Sequence, residues 1–191
     1  QSPEVLETLR RVALVQSVES SNRLEGITVA PGRIEGLVSQ KSKPSDRSEQ
    51  EVAGYRDVLA DIHANFATMR LSTDLLLRWH RAMYRYTGEV GGAWKDRDNA
   101  ILEVRVDGRQ VVRFQPISAL ATPEFMGKLV TLFEESLAQG QADPLFLIAS
   151  VVLDFECIHP FADGNGRMGR LLALLLLYQA GYEVGRYISL E

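Results

Sequence analysis

Residues 143–178 read DPLFLIASVVLDFECI, then HPFADGNGRMGR, then LLALLLLY. The outer two segments are apolar and the middle one is not. Asp143-Pro144 is a helix start, with a capping carboxylate and then Pro at the first helical position. The run that follows stays apolar through Val151, Val152 and Phe155. Leu171–Tyr178 is the longest apolar stretch of the chain. It is far too short to span a bilayer and reads as a buried core helix. Two core helices joined by a glycine-rich polar loop therefore define a mainly α protein whose chemistry sits in the connection.

Working outward, most of the remaining sequence also reads as helix. Ser2-Pro3-Glu4 repeats the start signal, with Leu6, Leu9, Val12 and Ala13 following at helical spacing to about Leu24, and Gly26 as a stop. A short helix is expected after Pro31, within 31–38. Residues 39–48 are polar and form a surface loop. A helix over 48–65 presents Val52, Tyr55, Leu59 and Ile62, and another from Ser72 or Thr73 carries Leu76, Trp79, Ala82 and Met83. Thr122-Pro123-Glu124 starts a helix lined by Leu129, Phe133 and Leu137, ended by Gly140. His63, His80, Trp79, Trp94 and Tyr86 are read as structural. One segment departs from this pattern. Ile101–Val106 and Arg109–Phe114 are β-rich runs flanking Asp107-Gly108, which predicts a hairpin.

Composition fits a soluble globular protein. The 191 residues include 46% hydrophobic and 24% charged side chains, with a formal charge of −4, which argues against nucleic acid as partner; no apolar stretch is long enough to span a bilayer, so no membrane partner is expected either. The one cysteine, Cys157, allows no internal disulfide and reads as a buried thiol in a reducing, cytoplasmic setting. The chain lacks an initial Met and stops abruptly after Ile188-Ser189-Leu190-Glu191, as a fragment of a longer protein would.

The loop 159–170 gathers groups suited to phosphate. Gly164 and Gly166 admit close backbone approach. The helix starting at Asn165 or Gly166 presents unpaired N–H groups and a positive dipole end. Arg167 and Arg170, three apart, share a face and carry forks that match phosphate oxygens. Asp163 is a hard oxygen donor of the kind Mg²⁺ takes singly. His159 has an unperturbed pKa suited to a general base. There is no Walker-type loop, an EF-hand fails at Arg167 and Met168, and zinc would need more ligands than His159 and Asp163 supply.

His159, Phe161, Asp163, Gly164, Asn165, Gly166, Arg167 and Arg170 match every fixed position of His-x-Phe-x-Asp-Gly-Asn-Gly-Arg-x-x-Arg, and so the sequence resembles the Fic family. The resemblance spans about residues 20–189. It implies a helical bundle with one β-hairpin flap, and transfer of AMP from Mg-ATP to a Ser, Thr or Tyr hydroxyl of a protein, the enzyme itself included. It further implies that His159 deprotonates the hydroxyl and that Asp163 binds Mg²⁺. Gly164, Asn165, Gly166, Arg167 and Arg170 would hold phosphates. The hairpin would be the flap, with Ile101, Leu102, Val104 and Val112 docking the target by strand addition.

Ser21, Glu25 and Gly26 resemble the family's inhibitory sequence, Ser/Thr-x-x-x-Glu-Gly/Asn, in which the glutamate occupies the second motif arginine, here Arg170. Read alone, the same residues are a helix end with a solvated Glu and a Gly stop. The resemblance thus divides the chain into an inhibitory helix, 1–30, and a catalytic domain, 31–191. De-AMPylating hydrolysis, transfer of another phosphate-containing group, a catalytically idle nucleotide-binding module and a homodimeric arrangement are left open.

Overall fold

The computed structural model describes residues 2–30, 32–140 and 142–191. Pro31, expected to open a short helix, lies outside the described residues. The elements are α1 (Pro3–Leu24), α2 (Arg33–Val38), α3 (Arg47–Asn65), α4 (Thr73–Met83), β1 (Ile101–Val104), β2 (Gln110–Phe114), α5 (Thr122–Gln139), α6 (Pro144–Ile158) and α7 (Asn165–Gln179), followed by a 3₁₀ turn (Glu183–Arg186). The mainly α class with one two-stranded sheet is as the sequence predicted. The chain forms two compact units, residues 1–92 with 166–191, and residues 93–165. Helix α7 begins at the last residue of the second unit and continues into the first.

In the first unit, α3 is the central element. Asp46 caps it by accepting the Glu49 N–H at 2.9 Å, and Val52, Tyr55, Leu59 and Ile62 are all buried, as their spacing predicted. Arg33 on α2 donates twice to Glu49, at 2.6 and 2.7 Å. This fork, with help from Ser45, holds the Glu49 carboxyl down to about 2. Ser72 caps α4, whose Leu76, Trp79 and Met83 are buried. On α7, Leu171, Leu172, Leu175, Leu176 and Tyr178 are buried, confirming the core helix.

Helix α1 departs from its apolar pattern. Leu9 and Val12 are 41% and 44% exposed, and the buried face is instead Ala13, Ser17, Val18, Ser21 and Asn22. The helix is anchored by its C-terminal half, where small and hydrogen-bonding side chains permit close approach to α3. Asn22 stays buried because its Nδ2 donates to Val18 O at 2.7 Å. Ser2 lies at the cap position, but its side chain makes no capping bond; its carbonyl accepts the Val5 and Leu6 N–H groups.

In the second unit, α5 packs against α6. Met126, Leu129 and Phe133 form the buried row of α5, and Ile148, Val151, Phe155 and Ile158 that of α6. Leu137, expected on that row, is exposed in the last turn of α5. Cys157 is half-buried rather than fully enclosed. The hairpin is present but its strands are shorter than the β-rich runs. Arg105 pairs with Arg109, and Val106-Asp107-Gly108 form a three-residue loop with Gly108 at φ 80°. The Asp-Gly pair therefore ends a bulged turn rather than forming a two-residue one. Glycine is required there because its φ lies in the left-handed region.

Candidate functional site

The stretch 158–165 is a loop with few degrees of freedom. Helix α6 ends at His159, whose N–H donates to Phe155 O at 2.9 Å and whose φ is 51°. A left-handed histidine costs on the order of 1 kcal/mol and persists only where the surroundings impose it. Phe161 is fully buried against Trp94 and Phe155. Asn165 closes the loop from the far side: its Oδ1 accepts the Phe161 N–H at 2.8 Å, and its Nδ2 donates to Phe161 O at 2.8 Å. That side chain, predicted to hold phosphate, is thus 3% exposed and tied to the loop's own backbone. Asp163 stands at the exposed crest, where its Oδ1 accepts the Gly164 N–H at 2.7 Å. Glu156 Oε2 lies 3.8 Å from His159 Nδ1.

Two residues that sequence reasoning missed hold this loop. The Lys95 N–H donates to Pro160 O at 2.8 Å, and its Nζ donates to Ile158 O at 3.0 Å and to Asn99 Oδ1 at 2.8 Å. Asn99 Nδ2 donates to Phe161 O at 3.2 Å and to His159 O at 3.4 Å. Nothing in Trp94-Lys95-Asp96 signals this, because a lysine among charged neighbours reads as solvated surface.

On the first unit, the two motif arginines differ. Arg167 is 1% exposed, with Nη1 2.8 Å from Glu51 Oε2 and Nη2 donating to Tyr84 Oη at 3.0 Å. Neither Glu51 nor Tyr84 was singled out by sequence, since a carboxylate on a helix reads as a solvated face. Arg170 is part-exposed. Its Nε donates to Ser21 Oγ at 2.6 Å, and its Nη2 to Ser21 O at 2.9 Å and to Glu25 Oε1 at 2.7 Å. The structure therefore brings Ser21, Glu25 and Arg170 together. The serine accepts from both Nε and Nη2 of the fork, and the glutamate shares Nη2 through a single oxygen. Glu25 also lies against the first turn of α7: a Cβ on Gly166 would overlap its Oε1.

Ile101, Leu102, Val104 and Val112 all lie on the hairpin, with Leu102 paired to Val112 and Val104 to Gln110. Leu102, Val104 and Val112 are 50–65% exposed. Because Arg105 donates to Arg109 O, alternation makes Val104–Gln110 and Leu102–Val112 the non-hydrogen-bonded pairs. Their N–H groups point away from the partner strand, one set on each edge.

Among the described residues no three His, Cys, Asp or Glu side chains cluster to hold a metal by themselves. An exposed single carboxylate such as Asp163 fits a hard ion that fills its other positions with water and phosphate oxygens. No helix among the described residues is long and apolar enough to cross a membrane.

Residues 70–177 match the sequence model of the Fic/DOC family. A Fido domain-containing protein of Dictyostelium discoideum is 40% identical over 65 residues, which is 32% of this chain and 46% of that protein. Protein adenylyltransferase fic-1 of Caenorhabditis elegans is 27% identical over 166 residues, 83% of this chain and 30% of the relative. This chain thus spans less than half the length of these curated relatives. The crystal structure of a Fic domain containing signaling protein from Bacteroides thetaiotaomicron superposes with a TM-score of 0.81 at 26% identity, covering 94% of this chain and 68% of that one.

Proposed function

This chain belongs to the Fic/DOC family, and on that premise we propose that it transfers AMP from ATP to a Ser, Thr or Tyr hydroxyl of a protein, itself included, under an intramolecular brake. The observation that carries the reading is the pairing of Arg170 with Ser21 and Glu25, set beside an intact His159–Arg170 motif. A brake on a phosphate-binding arginine has a purpose only where a phosphate is to be bound.

In this reading His159 takes the proton of the target hydroxyl. The hydroxyl oxygen bonds to the α-phosphorus of ATP, the bond to the bridging oxygen breaks, and pyrophosphate leaves. Developing charge meets the N–H groups at the start of α7, which need no reorganisation to receive it. Asp163 would hold Mg²⁺, which when bound would neutralise charge on the phosphates. Asn165 acts through the backbone that it pins. Arg170 is the phosphate fork released when Glu25 withdraws, and Arg167 fixes the first turns of α7 to α3 through Glu51. Helix α1 is the inhibitory segment of 1–30 on a catalytic body of 31–191. The exposed hairpin edges dock the target strand.

The test is incubation with ATP labelled at the α-phosphate, using unmutated protein and Glu25→Gly. Label transferred to protein by the variant, and lost with His159→Ala, is the expected result. No label in either, with ATP binding intact, sinks the reading. Release of label from pre-labelled protein by the unmutated form would assign removal instead.

A further inference from the structure

Helix α6 ends in the loop that carries His159, and the carbonyls at its end need partners. The last carbonyls of any helix lack intrahelical donors, and buried ones must be satisfied elsewhere. Here four successive carbonyls, those of Ile158, His159, Pro160 and Phe161, accept from the side chains of Lys95, Asn99 and Asn165 and from the Lys95 backbone N–H. Ile158 O receives Lys95 Nζ at 3.0 Å, and Pro160 O receives the Lys95 N–H at 2.8 Å. His159 O and Phe161 O receive Asn99 Nδ2 at 3.4 and 3.2 Å, and Phe161 O also receives Asn165 Nδ2 at 2.8 Å.

The two donors are themselves coupled. Lys95 Nζ donates to Asn99 Oδ1 at 2.8 Å, which orients the amide so that its NH₂ faces the loop. Lys95 is 4% exposed, an unusual place for an ammonium. Its position explains the choice. The C-terminal end of a helix carries partial negative charge, and a cation that bonds the last carbonyl is favoured there. The ammonium has three donors and no acceptor, and it serves the Ile158 carbonyl and the Asn99 amide together. Burial pushes the Lys95 pKa down, against the pull of Asp98.

We infer that Lys95 and Asn99 are positioning residues that impose the left-handed backbone of His159 and thereby aim its imidazole, the four carbonyls being the handles. The inference rests on the proposed role of His159 as the base. Clamping the carbonyls on both sides of a residue with φ 51° fixes the peptide planes that flank it, and those planes set where its Cβ points. Strain at a reacting residue is held by such over-determination, in which more bonds are made than the conformation needs. A misplacement of about 1 Å in a proton acceptor can cost about a hundredfold in rate.

The test uses the whole chain in the Glu25→Gly form. Lys95→Met and Asn99→Ala are each expected to lower kcat for labelling by about ten- to a hundredfold while leaving the KM for ATP within about twofold. Lys95→Arg should restore most of the rate. A second readout does not depend on activity. The protein has three histidines, so the imidazole peaks in a ¹H–¹³C spectrum can be assigned by deletion. The His159 peak should move in both variants, and those of His63 and His80 should not. An unmoved His159 peak overturns the inference, as does a rate loss accompanied by shifts at all three histidines. If Lys95→Met does not fold, Asn99→Ala, at a half-buried position, decides. If the Glu25→Gly parent labels nothing, the reading of the reaction has failed, and the His159 peak alone decides the clamp.

Discussion

The loop at 158–165 and the Arg170 face of α7 are held by different means. Around His159 the bonds run from buried donors to backbone carbonyls, and the donors are tied to one another. Around Arg170 a carboxylate on an exposed side chain meets one guanidinium nitrogen, beside a buried serine. Backbone carbonyls cannot be withdrawn without unfolding the loop. A part-exposed ion pair can be opened by a rotamer change, and exposed pairs contribute little to stability. The first arrangement is fixed by the fold, whereas the second can open without disturbing it. The contrast within the motif itself is as sharp: Arg167 is sealed against Glu51 and Tyr84, and Arg170, three residues on, is not.

The largest losses are expected at the loop that carries His159. In a Glu25→Gly background, His159→Ala should lower AMP transfer by about 10²–10⁴-fold, the usual contribution of a general base, with ATP affinity by calorimetry largely kept. A variant that still labels its target would mean that the clamped loop presents no base. Asp163→Ala should abolish the Mg²⁺ dependence of nucleotide binding, since no other carboxylate lies within the motif; a calorimetric titration with unchanged Mg²⁺ dependence counts against it.

The releasable side predicts a gain. Glu25→Gly should raise turnover by about ten- to a hundredfold, because a tethered carboxylate competes for the fork at high effective concentration. The gain should appear in labelling more than in ATP affinity, and should vanish in Glu25→Gly with Arg170→Ala. Equal labelling by unmutated and Glu25→Gly proteins at matched ATP would make α1 an ordinary helix.

Proline at Val104 or Val112 probes the hairpin, where each N–H points to a free edge. One of the two should reduce target labelling severalfold more than nucleotide binding, because proline removes the donor a docked strand would use. If neither does, the hairpin is not the docking element.

The smallest effect on transfer is expected at the other end of α7. There His63 Nδ1 lies 3.1 Å from Tyr178 Oη. Burial, then the charges of Arg186 and Arg10, lower the His63 pKa from 6.5 to about 4. The unfolded chain therefore takes up a proton as pH falls through 6.5, and the folded one does not until about 4. Stability from this site is present above pH 6.5 and lost progressively between 6.5 and 4. Thermal unfolding should show that slope, and His63→Phe should remove much of it while leaving the Glu25→Gly activation ratio unchanged.

Much of this was legible along the chain. Val52, Tyr55, Leu59 and Ile62 announced the buried face of α3, and the two apolar runs around 159–170 announced the connection that matters, because burial imposes a period on sequence. The pattern misled in α1, where Leu9 and Val12 keep helical spacing yet stay 41% and 44% exposed. It also misled in α5 at Leu137. Periodicity states which residues share a face; it does not state what that face meets.

Local spacing and side-chain chemistry fix the mainly α class, the hairpin and the chemical types in the motif. That Arg167 is sealed by Glu51 while Arg170 meets Ser21 and Glu25, almost 150 residues earlier, follows from the folded chain alone. It alone placed Lys95 and Asn99 on the carbonyls around His159, 60 residues or more away. A hydrogen bond between residues distant in sequence leaves no periodic trace, because its partners are chosen by the folded backbone and not by the spacing of either one.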